Sequence, residues 1–201
     1  MQDLRIIKGQ EMKRSIVLST IDLIASDGIE GISTQKLANS LNISKSNIFH
    51  HFKSVEAILD EVFSTILNTM IEPISNHHFD NVKEFMMFIG DGAFHLSNED
   101  RSIYIVTFQL YTLSLHHQKY KDLLLRQKED IVQVISNELI RLSHSNQEIC
   151  TMVAEMILMT LDGYGLSSLL EENPNHYQKL WELNTTYWSD LLLTNKGGIH
   201  D

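Results

Sequence analysis

Cysteine is almost absent from this 201-residue chain. Cys150 stands alone, so no internal disulfide can form and nothing calls for an oxidising compartment. It lies in an apolar run and reads as a buried, inert thiol. Proline is nearly as scarce, with Pro73 and Pro174 only, and the nine glycines leave the whole stretch between Gly31 and Gly90 empty. So few helix breakers, with no alternating strand pattern in competition, point to an all-α chain. An unbroken membrane-length apolar run is lacking too. Ile149 to Leu170 comes nearest, but Glu155 and Asp162 fall inside it. Two carboxylates in lipid are costly, so the stretch reads as a buried helix and no membrane partner is expected. The start, MQDLRIIKGQEMKR, is too polar for a secretory leader, which makes a cytoplasmic location the expectation.

Positive charge is in short supply overall: 16 Lys and Arg stand against 26 Asp and Glu, a net charge of −10. The shortage is uneven. Residues 1–53 carry seven bases (Arg5, Lys8, Lys13, Arg14, Lys36, Lys45, Lys53) and five acids (Asp3, Glu11, Asp22, Asp27, Glu30), a net +2, which leaves −12 for the remainder. A mildly basic head can approach a polyanion while an acidic body is repelled from it.

What is present is helical periodicity. Glu11 to Asp27 reads as a helix, with Val17, Ile21, Ile24 and Ala25 on one face and Gly28 at its C-terminus. Ser33 is placed to cap a helix from Thr34 to Leu41. Asn42 suits a tight turn, Ser44 caps a helix from Lys45 to His51, and Ser54 caps one running to Pro73. Further helices are expected from about Asn81 to Leu96, from an Asn98 cap to about Leu115, and from Gln118 to Leu142. The last two start at a Ser145/Glu148 capping box and at Asn173-Pro174. The total is about nine.

The informative segment is TQKLANSLNISKSNIFHHF, residues 34–52. Leu37, Ala38, Leu41, Ile43, Ile48 and Phe52 can interlock two short helices, with Ala38 small where they cross. Ser44, Lys45, Ser46, Asn47, His50 and His51 then point away from that core. Two helices joined by a tight turn, the second with a polar outer face, form a helix-turn-helix pattern, and a helix of this kind fits the DNA major groove.

With its flanks, KRSIVLSTIDLIASDGIEGISTQKLANSLNISKSNIFHHFKSVEAIL (residues 13–59), this arrangement resembles the TetR family of transcriptional regulators. The resemblance covers about a quarter of the chain; the later helices agree with the family in number and order only. It implies a helix-turn-helix DNA-binding domain over 1–53 and a helical effector-binding and dimerisation domain over 54–201. The implied partners are a double-stranded palindromic operator, a second copy of the chain, and a small-molecule effector that releases a repressor. Carried over by position, Thr34, Gln35 and Lys36 open the first helix of the motif on the DNA side, and Ser44, Lys45, Ser46 and Asn47 occupy the base-reading end. His50 and His51 follow on the same DNA-binding face, with His51 and then Lys53 as phosphate contacts. Phe49 stands where the family often has a tyrosine, so the hydroxyl contact is lost, and Val55 stands where a phosphate-binding lysine is usual.

Beyond the head, the helix from Glu148 is apolar nearly all round, and such a helix must be covered on every side. Val153, Ile157, Thr160, Leu161 and Tyr164, with Leu180, Leu183, Tyr187, Trp188 and Leu191, are the candidate dimer surface, and Gly163 and Gly165 offer close approach. Aromatic and methionine residues gather in the middle helices. The family resemblance implies an effector cavity there, with Phe85, Phe88, His95, Phe108, Gln109, Tyr111, Met156, Met159 and Asp162 as candidate lining. Three adjacent histidine pairs point in divergent directions along a helix and do not form a shared metal site. Asp91, His95 and Glu99 lack a further ligand. No phosphate-binding glycine loop or nucleophile motif occurs, so no enzyme, cofactor or metal is expected. The alternative to a regulator is a helical ligand-binding or adaptor protein of the same fold that does not bind an operator.

Overall fold

The computed structural model describes residues 4–94, 97–171 and 173–195. The chain is all-α, with nine α-helices among the described residues: α1 (Leu4–Asp27), α2 (Thr34–Ser40), α3 (Lys45–His51), α4 (Val55–Ser75), α5 (Val82–Phe94), α6 (Asn98–His116), α7 (Gln118–Ser143), α8 (Gln147–Leu170) and α9 (Pro174–Thr194). A 3₁₀ turn, Ile29–Gly31, joins α1 to the approach of α2.

The chain divides into two compact units. One is residues 1–68 with 105–121; the other is 69–104 with 122–201. Helices α4, α6 and α7 each contribute to both.

Most helix boundaries follow local chemistry. Gly28 sits at φ 81°, a left-handed conformation that a side chain disfavours, and this ends α1. The hydroxyls of Ser33, Ser44 and Ser54 accept hydrogen bonds from the backbone N–H groups of Lys36, Asn47 and Ala57, each at 3.2 Å. These bonds satisfy donors that have no partner inside the helix.

Four boundaries depart from expectation. First, α1 begins at Leu4, not Glu11; LRIIKGQ continues the helix despite Gly9. Second, α4 passes through Pro73 to Ser75, so the proline sits in the last turn, where little helix remains to be disrupted. Third, Ser97 rather than Asn98 caps α6: its Oγ accepts from Asp100 N–H at 3.2 Å, while the Asp100 carboxylate accepts from Ser97 N–H at 2.9 Å. Fourth, Asn146, not Ser145, caps α8, its side-chain oxygen accepting from Ile149 N–H at 2.9 Å. Ser145 is buried and its hydroxyl donates to the carbonyl of Leu192 on α9. Asn173 holds the position before Pro174 without a side-chain capping bond.

In the second unit, α5 packs on α8 and α9. Trp181 of α9 is fully buried and its indole Nε1 donates to the carbonyl of Met86 on α5 at 2.8 Å. Gly90 makes room for that indole; a Cβ there would lie 2.2 Å from Nε1. Trp188 stacks edge-on against Trp181, with ring centres 5.4 Å apart. By length and composition α8 is apolar enough to cross a membrane. Yet Cys150, Val153, Ala154, Ile157, Leu158, Leu161, Gly165 and Ser168 are buried inside the fold, as a core helix requires. Burial raises the Cys150 thiol above its ordinary range, consistent with an inert thiol.

Candidate nucleic-acid interface

The site begins with a small core. Leu37, Ala38, Ile48 and Phe52 are buried, whereas Leu41 and Ile43 are only half-buried. Between α2 and α3 the turn is made by Asn42 in the left-handed region at φ 53°. Ile43 N–H donates to Ala38 carbonyl at 2.9 Å, closing the turn onto α2. Asparagine tolerates this conformation better than other side chains.

With Ile48 holding the inner face of α3, its outer face is fixed. Ser44, Lys45, Ser46, Asn47, Phe49 and His50 are exposed, and His51 is half-buried. Ser44 and Ser46 share a hydrogen bond of 2.8 Å between their hydroxyls. The imidazoles of His50 and His51 meet edge-on, ring centres 5.2 Å apart. Phe49 is 51% exposed, an apolar ring on a polar face. On α2, Gln35 is exposed and its side-chain amide donates to Asn39 Oδ1 at 2.8 Å, while Thr34 is half-buried.

The cations do not all remain available. Lys36 Nζ lies 2.9 Å from Asp27, whose carboxyl is held below its ordinary range first by that hydrogen bond and then by one from Ser26. Lys13 Nζ lies 2.8 Å from Glu61 and 5.5 Å from the centre of the Phe52 ring. Lys8, Arg14, Lys45 and Lys53 have no ion-pair partner among the described residues, and Lys45 and Lys53 stand at the two ends of α3. The charge count of the head includes Lys13 and Lys36, but each is neutralised by an acid beside it. Their partners lie 48 and 9 residues away, and no local pattern announces them.

A capped helix with a polar, outward first turn, joined to a second helix by a left-handed residue, is a helix-turn-helix. Residues 16–62 match the family model for bacterial regulatory proteins of the tetR family. Through this N-terminal region the chain is similar to the TetR family. Over 66 residues it is 29% identical to the class D tetracycline repressor protein of Escherichia coli and to the class H protein of Photobacterium damsela. Each match spans 33% of this chain and 27% of the repressor. The fold is shared with solved structures at low identity. A transcriptional regulator from Rhodococcus sp. is 14% identical, with a TM-score of 0.77 covering 92% of this chain and 98% of that one. A TetR transcription regulator from Haloarcula marismortui is 10% identical, at TM-score 0.72 over 90% and 97%. A regulator from Saccharomonospora viridis, solved in complex with choline, is 18% identical, at 0.65 over 86% and 94%.

The residues expected to line an effector cavity divide between the units. Phe85, Phe88, Met156, Met159 and Asp162 belong to one, and Phe108, Gln109 and Tyr111 to the other. His95 lies outside the described residues. Phe85 is buried and Phe88 exposed, around the Phe79 ring at 5.0 and 5.1 Å. Asp162 lies 3.4 Å from Lys128, both half-buried. Beside them the Tyr104 hydroxyl is pushed up to about 12 by burial and by the charges of Asp162 and Asp100. Met156 is half-buried, but Met159 is 62% exposed, and a side chain so exposed is not a wall of an enclosed cavity. Phe108 and Tyr111 meet edge-on at 5.9 Å. Phe108 and Gln109 line a groove of about 640 Å³ with Asp27 to Glu30, Thr112, Leu113, His116 and His117.

The expected dimer surface is also redrawn. Val153, Ile157, Leu161 and Trp188 are buried within one chain and unavailable to a second. Gly165 gives its close approach to the Tyr104 ring of the same chain, where a Cβ would meet Cε1 at 2.1 Å; Gly163 faces open space. Tyr164 is half-buried and its hydroxyl accepts from Asn184 Nδ2 at 3.0 Å. Thr160 is half-buried, its hydroxyl turned back to the Met156 carbonyl at 2.7 Å. Leu180 and Leu191 are half-buried. The large apolar side chains left open are Met152, Met159, Leu166 and Leu170 on α8 with Leu183, Tyr187 and Leu193 on α9. Helical spacing had marked both faces of α8 as apolar without saying which one the chain covers itself.

Proposed function

We propose that this chain is a one-component transcriptional regulator, a repressor, that binds a palindromic operator as a homodimer and is released by a small-molecule effector. In this reading residues 1–53 are the DNA-binding domain and 54–201 the effector-binding and dimerisation domain. The observation that carries the proposal is the first turn of α3. Ser44, Lys45, Ser46 and Asn47 are all exposed on a helix anchored from beneath by buried Ile48. The N-terminal residues of a helix lying in the major groove reach base edges. Free backbone N–H groups at that end also favour phosphate.

Asn47, with a donor and an acceptor on one planar group, suits bidentate recognition of adenine, and Ser44 and Ser46 can serve either donor or acceptor edges. His51 and Lys53 supply contacts to the phosphate backbone, and His50 lies on the same face. Phe49, lacking a hydroxyl, packs on sugar or a thymine methyl. The open apolar patch of Met152, Met159, Leu166, Leu183 and Tyr187 favours pairing of α8 and α9 with those of a second copy. Two-fold pairing presents two recognition helices to two half-sites. The polar centre formed by Asp162, Lys128 and Tyr104 supports an effector bearing a charged or hydrogen-bonding group. The choline bound to the Saccharomonospora protein is a precedent for small-molecule binding on this fold.

Selection of duplexes from a random-sequence library by the full-length chain tests the proposal. Enrichment of an inverted repeat is expected; a library with no enriched sequence after repeated rounds leaves only the adaptor alternative.

A further inference from the structure

The side chain of Gln109, on α6, joins two backbone groups at the end of α1. Its Oε1 accepts from Ile29 N–H at 2.7 Å, and its Nε2 donates to the Ile24 carbonyl at 2.9 Å. The two anchor points flank Gly28, the left-handed break between α1 and the 3₁₀ turn. Ile24 is fully buried and Gln109 half-buried, so the pair of bonds is partly sheltered from water. Gln109 is a candidate effector contact by sequence, but both ends of its carboxamide are engaged by the backbone of the head.

What this junction positions is the start of α2. Asp27, beside Gly28, holds Lys36 in the first turn of α2 at 2.9 Å. The 3₁₀ turn leads through extended Ile32 directly into the Ser33 cap. At the far end of α2 the Ser40 hydroxyl meets that of Ser19 on α1 at 2.7 Å. α2 is therefore tied to α1 at both ends, and α3 is packed on α2 through Leu37, Ala38 and Ile48. Gln109 fixes α6 to the same turn by an acceptor and a donor at once. Two bonds from one rigid plane set orientation as well as distance, which a single bond or an apolar contact does not.

We infer that Gln109 is a positioning residue for DNA binding: it holds the α1–α2 junction, and with it the recognition helix, in the conformation that engages a duplex. The inference rests on the DNA-binding reading above. Loss of the side chain leaves Ile24 carbonyl with a partner, since Gly28 N–H also donates to it at 3.0 Å, but leaves Ile29 N–H with no other partner among the described residues. The exposed consequence is therefore local loosening of the junction rather than loss of the fold.

The test uses the full-length chain and the duplex it enriches from a random-sequence library. Gln109→Ala is expected to bind that duplex at least tenfold more weakly, with the same dependence of affinity on salt, because no phosphate contact is removed. Hydrogen exchange at the Ile29 amide is expected to accelerate. Gln109→Glu supplies a readout specific to positioning. An ionised carboxylate accepts from Ile29 but sets like charge against the Ile24 carbonyl, whereas the protonated acid restores both bonds. Its affinity relative to the unaltered chain at each pH is expected to recover as pH falls from 8 towards roughly 5.5. Wild-type affinity in Gln109→Ala, or a Gln109→Glu ratio flat across that range, overturns the inference; the second arm holds even if the alanine variant folds poorly. Failure of the unaltered chain to enrich any duplex overturns the DNA-binding reading and this inference with it, and is recognised because no variant need be made to see it.

Discussion

The two ends of this chain expose opposite kinds of side chain. On α3 the open residues are serine, lysine, asparagine and histidine over a buried isoleucine, with Phe49 as the apolar exception. On α8 and α9 they include Met159 at 62%, Leu183 at 68% and Tyr187 at 65% exposure, over a core of Val153, Ile157, Trp181 and Trp188. Both surfaces are equally regular as helices. Their chemistry separates them: the first is stable in water and complementary to a polar polyanion, while the second gains by being covered. The charge split agrees, with a net +2 in residues 1–53 and −12 in the rest.

Several changes sharpen or break that contrast. The largest effect is expected from charging the apolar patch. The double change Leu183→Asp and Tyr187→Asp should convert a dimer to a monomer in light scattering, with the helical signal of each chain retained. A dimer that survives removes the patch from the interface. Next comes the core beneath it. Trp181→Ala deletes the largest fully buried side chain and its hydrogen bond to Met86, and should destabilise the fold by about 3–5 kcal/mol in denaturant titration. A similar loss from Leu183→Ala would erase the distinction between covered and open faces.

Alkaline pH tests the interior of the same region. The Tyr104 hydroxyl, at about 12 when folded, titrates near its ordinary value when unfolded. Unfolding then releases the proton first, so stability is intact below pH about 10 and falls as pH rises towards about 12, by roughly 2–3 kcal/mol. Tyr104→Phe should abolish that part of the alkaline slope; an unchanged slope would assign it elsewhere. The smallest effect belongs to the head. Lys53→Ala should weaken all duplexes alike and reduce the salt slope of binding by about 1. A sequence-dependent loss instead would make Lys53 a base reader.

The same contrast explains what the sequence made legible. In the head, short-range rules suffice: Ser33, Ser44 and Ser54 cap as their positions suggest, Asn42 makes the turn, and Leu37, Ala38, Ile48 and Phe52 are the core. Each of those features depends on residues within a few positions of one another. The body depends on distant ones. Ser145 looked like the cap of α8, but a hydrogen bond to Leu192 on α9 takes its hydroxyl and leaves capping to Asn146. Periodicity showed that α8 is apolar on every side, but could not tell Val153, which packs inside, from Met159, which does not. Lys36 looked like a free cation until Asp27 was placed beside it, and Gln109 like a ligand contact until the fold set it on Ile24 and Ile29. Tertiary partners decide such questions.

The most direct test of the central claim removes the polar edge of α3 without touching its core. Ser46→Ala combined with Asn47→Ala leaves Ile48 and the Ser44 side-chain oxygen in place. Affinity of this variant for the duplex enriched by the unaltered chain should fall at least tenfold, with discrimination among related sequences relaxed. Unchanged affinity and unchanged discrimination would contradict a recognition role for α3.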